Sequence, residues 1–264
     1  MSRPALQVLV IGIGAGDPSH VTVQAIEALN RADVIVMMDK GAAVDDLAAL
    51  RRQICDRFID GTEGEAYRFV ERSDPERRLR DGSYEADVAV WHEQRVDIYE
   101  DVLCDEVADG EVAAFLAWGD PSLYDSTTRI LDQVVARGTL DLRIEVVPGI
   151  SSLHALTARF AIPLNQVGGP VTITTGRQLL AMDPATVDNV VVMLDGACSF
   201  AQLEPAGLTI WWGAYLSSPD EILVTGPLAD VADHIQAVRA DARARKGWMF
   251  DTYLLRRHHP PDPT

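Results

Sequence analysis

Leu6 to Ile13 is a continuous apolar run but for Gln7, rich in Val and Ile, the pattern of a strand buried on both faces of a parallel sheet. A glycine turn follows. From Val21 to Ala32 the apolar residues Val23, Ile26 and Leu29 recur at helical spacing, with Ser19 or Thr22 placed as N-cap. Val34 to Met38 is apolar again, so the chain opens with a strand, helix, strand unit. Helical patches around Leu47 to Cys55 and Val88 to Leu103 then flank a polar stretch, Asp60 to Glu85, dense in charge and glycine. Residues 40–110 therefore read as a loop or helical insertion. Val112 to Trp118 predicts a third strand. Thr127 to Ala136 sets Ile130, Leu131, Val134 and Val135 on one helical face, closed by Gly138. Leu142 to Val147 predicts a strand stopped by Pro148-Gly149, and Ser151 to Ala161 a helix with Leu153, Leu156 and Phe160 at core spacing.

Alternating strands and helices argue for an α/β fold. The segment Ile162 to Pro170 holds two prolines, two glycines and an asparagine, which interrupt both periodicities. The expected organisation is an N-terminal α/β domain over 1–162, a linker over 163–170 and a C-terminal α/β domain over 171–264. In the latter, Val171 to Thr175, Asn189 to Leu194, Leu208 to Tyr215, Glu221 to Thr225 and Trp248 to Leu255 predict strands, and Leu228 to Ala244 a helix. At about 150 residues per domain, 264 residues allow two compact units or one large one.

The string Gly12-Ile13-Gly14-Ala15-Gly16-Asp17-Pro18 stands between a strand and a helix, where a ligand can approach bare backbone. A dinucleotide fingerprint fails here, because Asp17 would point an anion at the pyrophosphate. The glycines also imitate the turn of Rossmann-type methyltransferases, with Asp33 or Asp39 as the ribose-binding acid. Two further loops change the picture. Trp118-Gly119-Asp120-Pro121-Ser122-Leu123-Tyr124 repeats the sequence of strand, Gly-Asp-Pro turn and helix, and Val147-Pro148-Gly149-Ile150-Ser151-Ser152 forms a third strand-end loop. Three such loops on one sheet edge suggest one shared ligand site.

Charge narrows the classes. With 23 basic and 40 acidic residues the net charge is −17, which opposes binding to nucleic acid. No run reaches the roughly 18 apolar residues of a membrane span, and no signal peptide pattern opens the chain, so a soluble cytoplasmic protein is expected. Cys55, Cys104 and Cys198 fit no metal spacing and read as isolated thiols.

With all these strings in view the sequence resembles the tetrapyrrole (corrin and porphyrin) methylase family. The likeness runs from the opening glycine turn through Ala32-Asp33-Val34, the Gly-Asp-Pro turn, the Pro-Gly-Ile-Ser-Ser loop and Ile162-Pro163-Leu164. It continues in Ser217-Ser218-Pro219-Asp220-Glu221 and Thr225-Gly226-Pro227-Leu228. The Gly-Ala-Gly-Asp-Pro-Ser-His turn, the long 40–110 segment and the Trp248-Met249-Phe250-Asp251-Thr252-Tyr253 ending resemble the branch that removes an acetyl group while methylating a corrin precursor. The resemblance implies two α/β domains of the class III methyltransferase type, with S-adenosylmethionine bound in the cleft between them, and a homodimer. Carried over, the donor contacts fall on Gly119, Asp120, Leu123, Ser151, Ser152, Met193, Tyr215 and Leu216, and on Ala15, where most relatives have proline. It also leaves other occupants of the same fold open: methylation of a different precorrin or of a protein side chain, as in diphthine synthases, and a non-catalytic nucleoside-binding protein.

Methyl transfer is an in-line displacement that needs positioning more than a strong acid or base. Loss of an acetyl group adds a base to activate water, for which Asp39, Asp17 and His20 are the candidates. A polycarboxylate substrate needs local cations against the overall charge. Arg72 and Arg77, with Arg68, Arg78 and Arg80, give a local positive excess, and Arg51, Arg52 and Arg57 are a second set.

Overall fold

A computed structural model describes residues 4–39, 45–75 and 84–258, and divides the chain into two compact units, Met1–Ile150 and Ser151–Thr264. In the first unit β1 (Leu6–Gly12), β2 (Val34–Asp39), β3 (Arg68–Ser73), β4 (Val112–Ala117) and β5 (Leu142–Val147) form a sheet in the order β3-β2-β4-β1-β5, parallel throughout. Both faces are covered. Leu6, Val8 and Val10 pack under α3 (Tyr84–Asp105) and α4 (Thr127–Arg137), while Leu9 and Ile11 face α1 (Val23–Leu29) and α2 (Asp45–Phe58). That alternation is why β1 reads as an apolar run: period two puts each side chain from Val8 to Ile11 into one core or the other. Each large aliphatic side chain so buried contributes about 1.5–3 kcal/mol.

The described part of the 40–110 segment is built of regular elements. It supplies α2, β3 and α3, the outer part of the sheet's own α/β succession. β3 escaped the sequence reading because it is an edge strand of composition Arg-Phe-Val-Glu-Arg-Ser, with Val70 its one fully buried side chain. Charges on an edge strand keep it from pairing with other chains, at the cost of hiding its periodicity. The N-cap of α1 is Thr22, whose Oγ1 accepts the Ala25 N–H at 3.1 Å.

The second unit opens with α5 (Ser152–Arg159), followed by β6 (Thr172–Thr175), α6 (Gly176–Ala181), β7 (Asn189–Met193), β8 (Leu208–Ala214), β9 (Ile222–Pro227), α7 (Leu228–Lys246) and β10 (Asp251–Arg257). The strand order is β6-β7-β10-β8-β9, with β6 and β7 parallel and the other neighbours antiparallel. Its core gathers Val190, Val192, Ile210, Trp212, Tyr253 and Leu255 with Leu228, Ile235 and Ala242 of α7. The division of the chain thus precedes α5, whereas the proline- and glycine-rich segment 163–170 follows it. α5 joins the second unit because Ser152 Oγ bonds Thr252 Oγ1 at 2.9 Å and Leu156 packs over Gly213. α6, six residues that follow β6 directly, is too short to show a helical period. Among the described residues no helix is long and apolar enough to cross a membrane.

Candidate functional site

Three strand-end loops of the first unit are tied together at the carboxyl edge of its sheet. Gly14 and Gly119 exchange backbone hydrogen bonds, Gly119 N–H to Gly14 O at 2.8 Å and the reverse at 3.3 Å. The Asp120 carboxylate accepts the Ser122 N–H at 2.8 Å within its own turn and the Gly149 N–H at 2.9 Å from the loop after β5. A Cβ on Gly149 would stand 2.1 Å from Gly119 O, and one on Gly12 would stand 2.6 Å from Gly149 N. These two glycines therefore serve loop-on-loop packing. The expectation that bare backbone leaves room for a ligand does not hold for them, because neighbouring backbone fills the space. Asp120 acts as a turn cap and as a clamp between two loops, and Ala15, in the loop after β1, is buried at 3% exposure.

The second unit presents its own edge. Met193 ends β7, Thr252 lies opposite it on β10, and Gly213 of β8 lies opposite Thr252 on the far side, so the three share one row and one face. Ser152, at the first turn of α5, bonds Thr252 on that row, and Ser151, the N-cap, is 1% exposed with its Oγ 2.8 Å from His154 Nδ1. Leu216 folds back over Gly213, where a Cβ would meet its Cδ2 at 2.6 Å. Tyr215 is buried, its hydroxyl donating to Trp248 O at 2.7 Å and its backbone N–H to Phe250 O at 2.9 Å.

Backbone strain marks the same places. Tyr124, Leu194, Cys198, Tyr215 and Ser217 all have φ between +47° and +65°, in the loops after β4, β7 and β8. A left-handed conformation costs a side-chain-bearing residue about 1–2 kcal/mol, and such outliers gather where a fold holds a binding or reacting group. Tyr124 and Leu194 are moreover large apolar side chains left 46% and 59% exposed. Leu123 is half-buried beside Tyr124, and Met193 is half-buried beside Leu194.

The charged candidates separate. Asp17 accepts the Ser19 N–H at 2.7 Å, and that bond holds its carboxyl below the usual range, making it a poor proton acceptor. His20 packs its Cβ over Gly14, and its Nδ1 is buried without a hydrogen-bond partner among the described residues. Asp39 is exposed at the last position of β2. Arg72 pairs with Glu106 and donates to Glu71 O at 2.9 Å. Arg77 lies outside the described residues.

A buried network near Met193 went unread in the sequence. The Asp195 carboxylate accepts the Ser199 N–H at 2.6 Å and the Tyr253 hydroxyl at 2.7 Å, and Gly176 is required beside it, since a Cβ there would meet Oδ1 at 2.3 Å. Arg239 of α7 donates to Asp195 O and to Asp251 Oδ2, both at 2.8 Å, and Trp212 Nε1 reaches the same Asp251 oxygen at 3.1 Å. Burial beside Asp195 pushes the Tyr253 phenol well above its ordinary range, so it remains a donor. These bonds fix the loop that follows Leu194. Sequence carried one signal for them, an arginine on the buried stripe of α7.

Known proteins were compared with this chain. Residues 7–232 match the family model described as Tetrapyrrole (Corrin/Porphyrin) Methylases. The chain is 49% identical to the precorrin-6A synthase [deacetylating] of a Sinorhizobium species, over 95% of each chain. It superposes on a crystal structure from Corynebacterium diphtheriae described as a cobalamin synthesis related protein (CobF). That match has a TM-score of 0.81 and 33% identity, and covers 96% of this chain and 99% of the other. The fold is also that of the cobalt precorrin-4 methyltransferase CbiF, at TM-score 0.62 and 18% identity over 95% of this chain and 94% of the other.

Proposed function

The chain belongs to the tetrapyrrole (corrin/porphyrin) methylase family, and from that premise we propose that it is an S-adenosylmethionine-dependent C-methyltransferase of cobalamin biosynthesis. In this reading it converts precorrin-5 to precorrin-6A by methylating C-1 with loss of acetate. The observation that carries it is the end-to-end likeness to the Sinorhizobium enzyme. Each unit by itself offers lining that suits part of a nucleoside with a thioether arm: Leu123 and Tyr124 in the first, Met193 and Leu194 in the second, each pair an apolar one with a left-handed residue just past a strand end. An acidic protein also favours a sulfonium cation.

When bound, the donor supplies an electrophilic methyl group. The chain's own part is to hold the ring carbon in line with it and to exclude water from the transfer. For deacetylation, a base takes a proton from water as its oxygen adds to the acetyl carbonyl. The bond between that carbonyl carbon and the ring then breaks, acetate leaves, and the electron pair stays on the ring carbon, which takes the methyl group. Of the three candidate bases, Asp17 is weakened by its capping bond, leaving His20, with its unengaged Nδ1, and Asp39. A cytoplasmic homodimer belongs to the same reading on the family resemblance; a single-chain mass in light scattering removes the dimer.

Incubation with S-adenosylmethionine and precorrin-5 should yield a methylated ring and one equivalent of acetate. Methyl transfer without acetate points to another precorrin or a protein side chain as substrate, and binding of S-adenosylhomocysteine without any turnover to a nucleoside-binding protein. Replacing His20 or Asp39 by alanine should abolish acetate release with donor binding intact for whichever is the base, and unchanged turnover removes that residue from the reaction.

A further inference from the structure

A polycarboxylate ring must be met by cations that the fold has not already engaged. Most arginines of the α2–β3 region are engaged. Arg52 pairs with Glu71 at 2.6 Å and lies over the Phe69 ring at 4.3 Å, Arg68 holds Glu111 at 2.7 Å, and Arg72 holds Glu106. Arg57 leans over the Phe58 ring at 5.1 Å.

Arg51 differs. It is half-buried on α2, its Nε donating to Leu116 O at 3.3 Å and its Nη1 to Leu47 O at 3.2 Å, with no carboxylate at ion-pair distance among the described residues. Of the five N–H donors of a guanidinium, three, including both on Nη2, have no acceptor among the described residues. Burial lowers its pKa, and the charge that works against this most is Asp125, in the loop after β4. A partly desolvated cation with no carboxylate in direct contact among the described residues costs stability, and a fold retains one where something outside the chain completes it. The position fits. Leu116 lies three residues before Gly119, so the guanidinium stands at the carboxyl edge of the parallel sheet, where open α/β sheets take ligands. The adjoining loop is braced: Arg95 of α3 pairs with Asp74 after β3 at 3.0 Å, donates to Ser126 Oγ at 3.0 Å, and lies over the Trp91 ring at 4.7 Å.

We propose that Arg51 recognises the substrate by taking one carboxylate of the tetrapyrrole periphery on its uncommitted Nη2 edge. This rests on the function proposed above and names the residue that meets the substrate's charge.

The test uses the full chain and uroporphyrin, a ring bearing eight carboxylates, titrated by its fluorescence into wild type, Arg51→Lys and Arg51→Met. S-adenosylhomocysteine binding by calorimetry and melting temperature are measured in parallel. Wild type should bind the ring, the Met variant roughly tenfold to a hundredfold more weakly, and the Lys variant in between. Homocysteine-nucleoside affinity should not change, and the Met variant should melt at or above the wild-type temperature, because an unneutralised charge has been removed. Equal ring affinity in all three proteins, or no ring binding by wild type, overturns the proposal. So does a Met variant that loses melting temperature and nucleoside affinity together with the ring, the behaviour of a strut between α2 and β4. A wild type that fails to bind S-adenosylhomocysteine defeats the methyltransferase reading instead.

Discussion

Gly149 shows how a single absent side chain holds a site together. Alanine there would set a methyl group 2.1 Å from Gly119 O, a backbone atom that cannot turn aside, so the loops after β4 and β5 must part. Gly149→Ala should cost about 1–3 kcal/mol or more in urea unfolding and weaken S-adenosylhomocysteine binding. Gly196→Ala, with nothing within 4 Å of its Cβ, should stay within about 0.5 kcal/mol of wild type. Were both variants equally stable, the knot would have no energetic content. Cys55 is a second residue-scale case. Burial pushes its thiol up to about 12, leaving almost no thiolate near pH 8, so a disulfide reagent should leave it unmodified in the folded protein and react only on unfolding. Of the residues named from sequence, Gly119, Asp120 and Gly149 were recognisable as a motif. That Asp120 grips Gly149 was not, since 29 residues separate them in the chain.

Among elements, α1 carries its signal at its start. Thr22→Ala removes the bond to Ala25 N–H and should lower stability by about 1 kcal/mol, read as a shift of the urea midpoint with an unchanged slope. β1 and β4 were legible because central parallel strands are apolar on both faces, β5 because Leu142, Ile144 and Val146 alternate with Arg143 and Glu145 along an edge strand, and α4 because Gly138, at φ +73°, closes it after its apolar stripe. β3 was illegible for the opposite reason. It pairs with β2 on one side and with no described strand on the other, and its charged side chains are satisfied laterally, Glu71 by Arg52 and Arg72 by Glu106. α5 could be read as a helix, but its allegiance could not. Leu156 fits over Gly213 only because that residue has no side chain, a fact about β8 that α5 does not contain.

At the scale of the molecule, acidity governs behaviour toward pH. Glu111 is held at about 2 by the Arg68 guanidinium, against 4.5 when free. Its carboxylate thus stabilises the fold fully above about pH 4.5, and the contribution fades as pH falls toward 2. Glu111→Gln should therefore flatten the acid limb of the stability curve in that window and leave the slope above pH 5 unaltered. An unchanged acid limb would show that solvent screens the pair completely. The chain alone determined the α/β class, the three loops at a sheet edge and the family, because each depends on local periodicity, turn chemistry and short motifs. Tertiary structure decided which glycines pack against backbone, which arginines are paired with carboxylates and which loops the Asp195 and Arg239 network fixes. Those properties belong to pairs of residues far apart in the chain, and the energy of a pair is set by distance and burial, which no single stretch of sequence specifies.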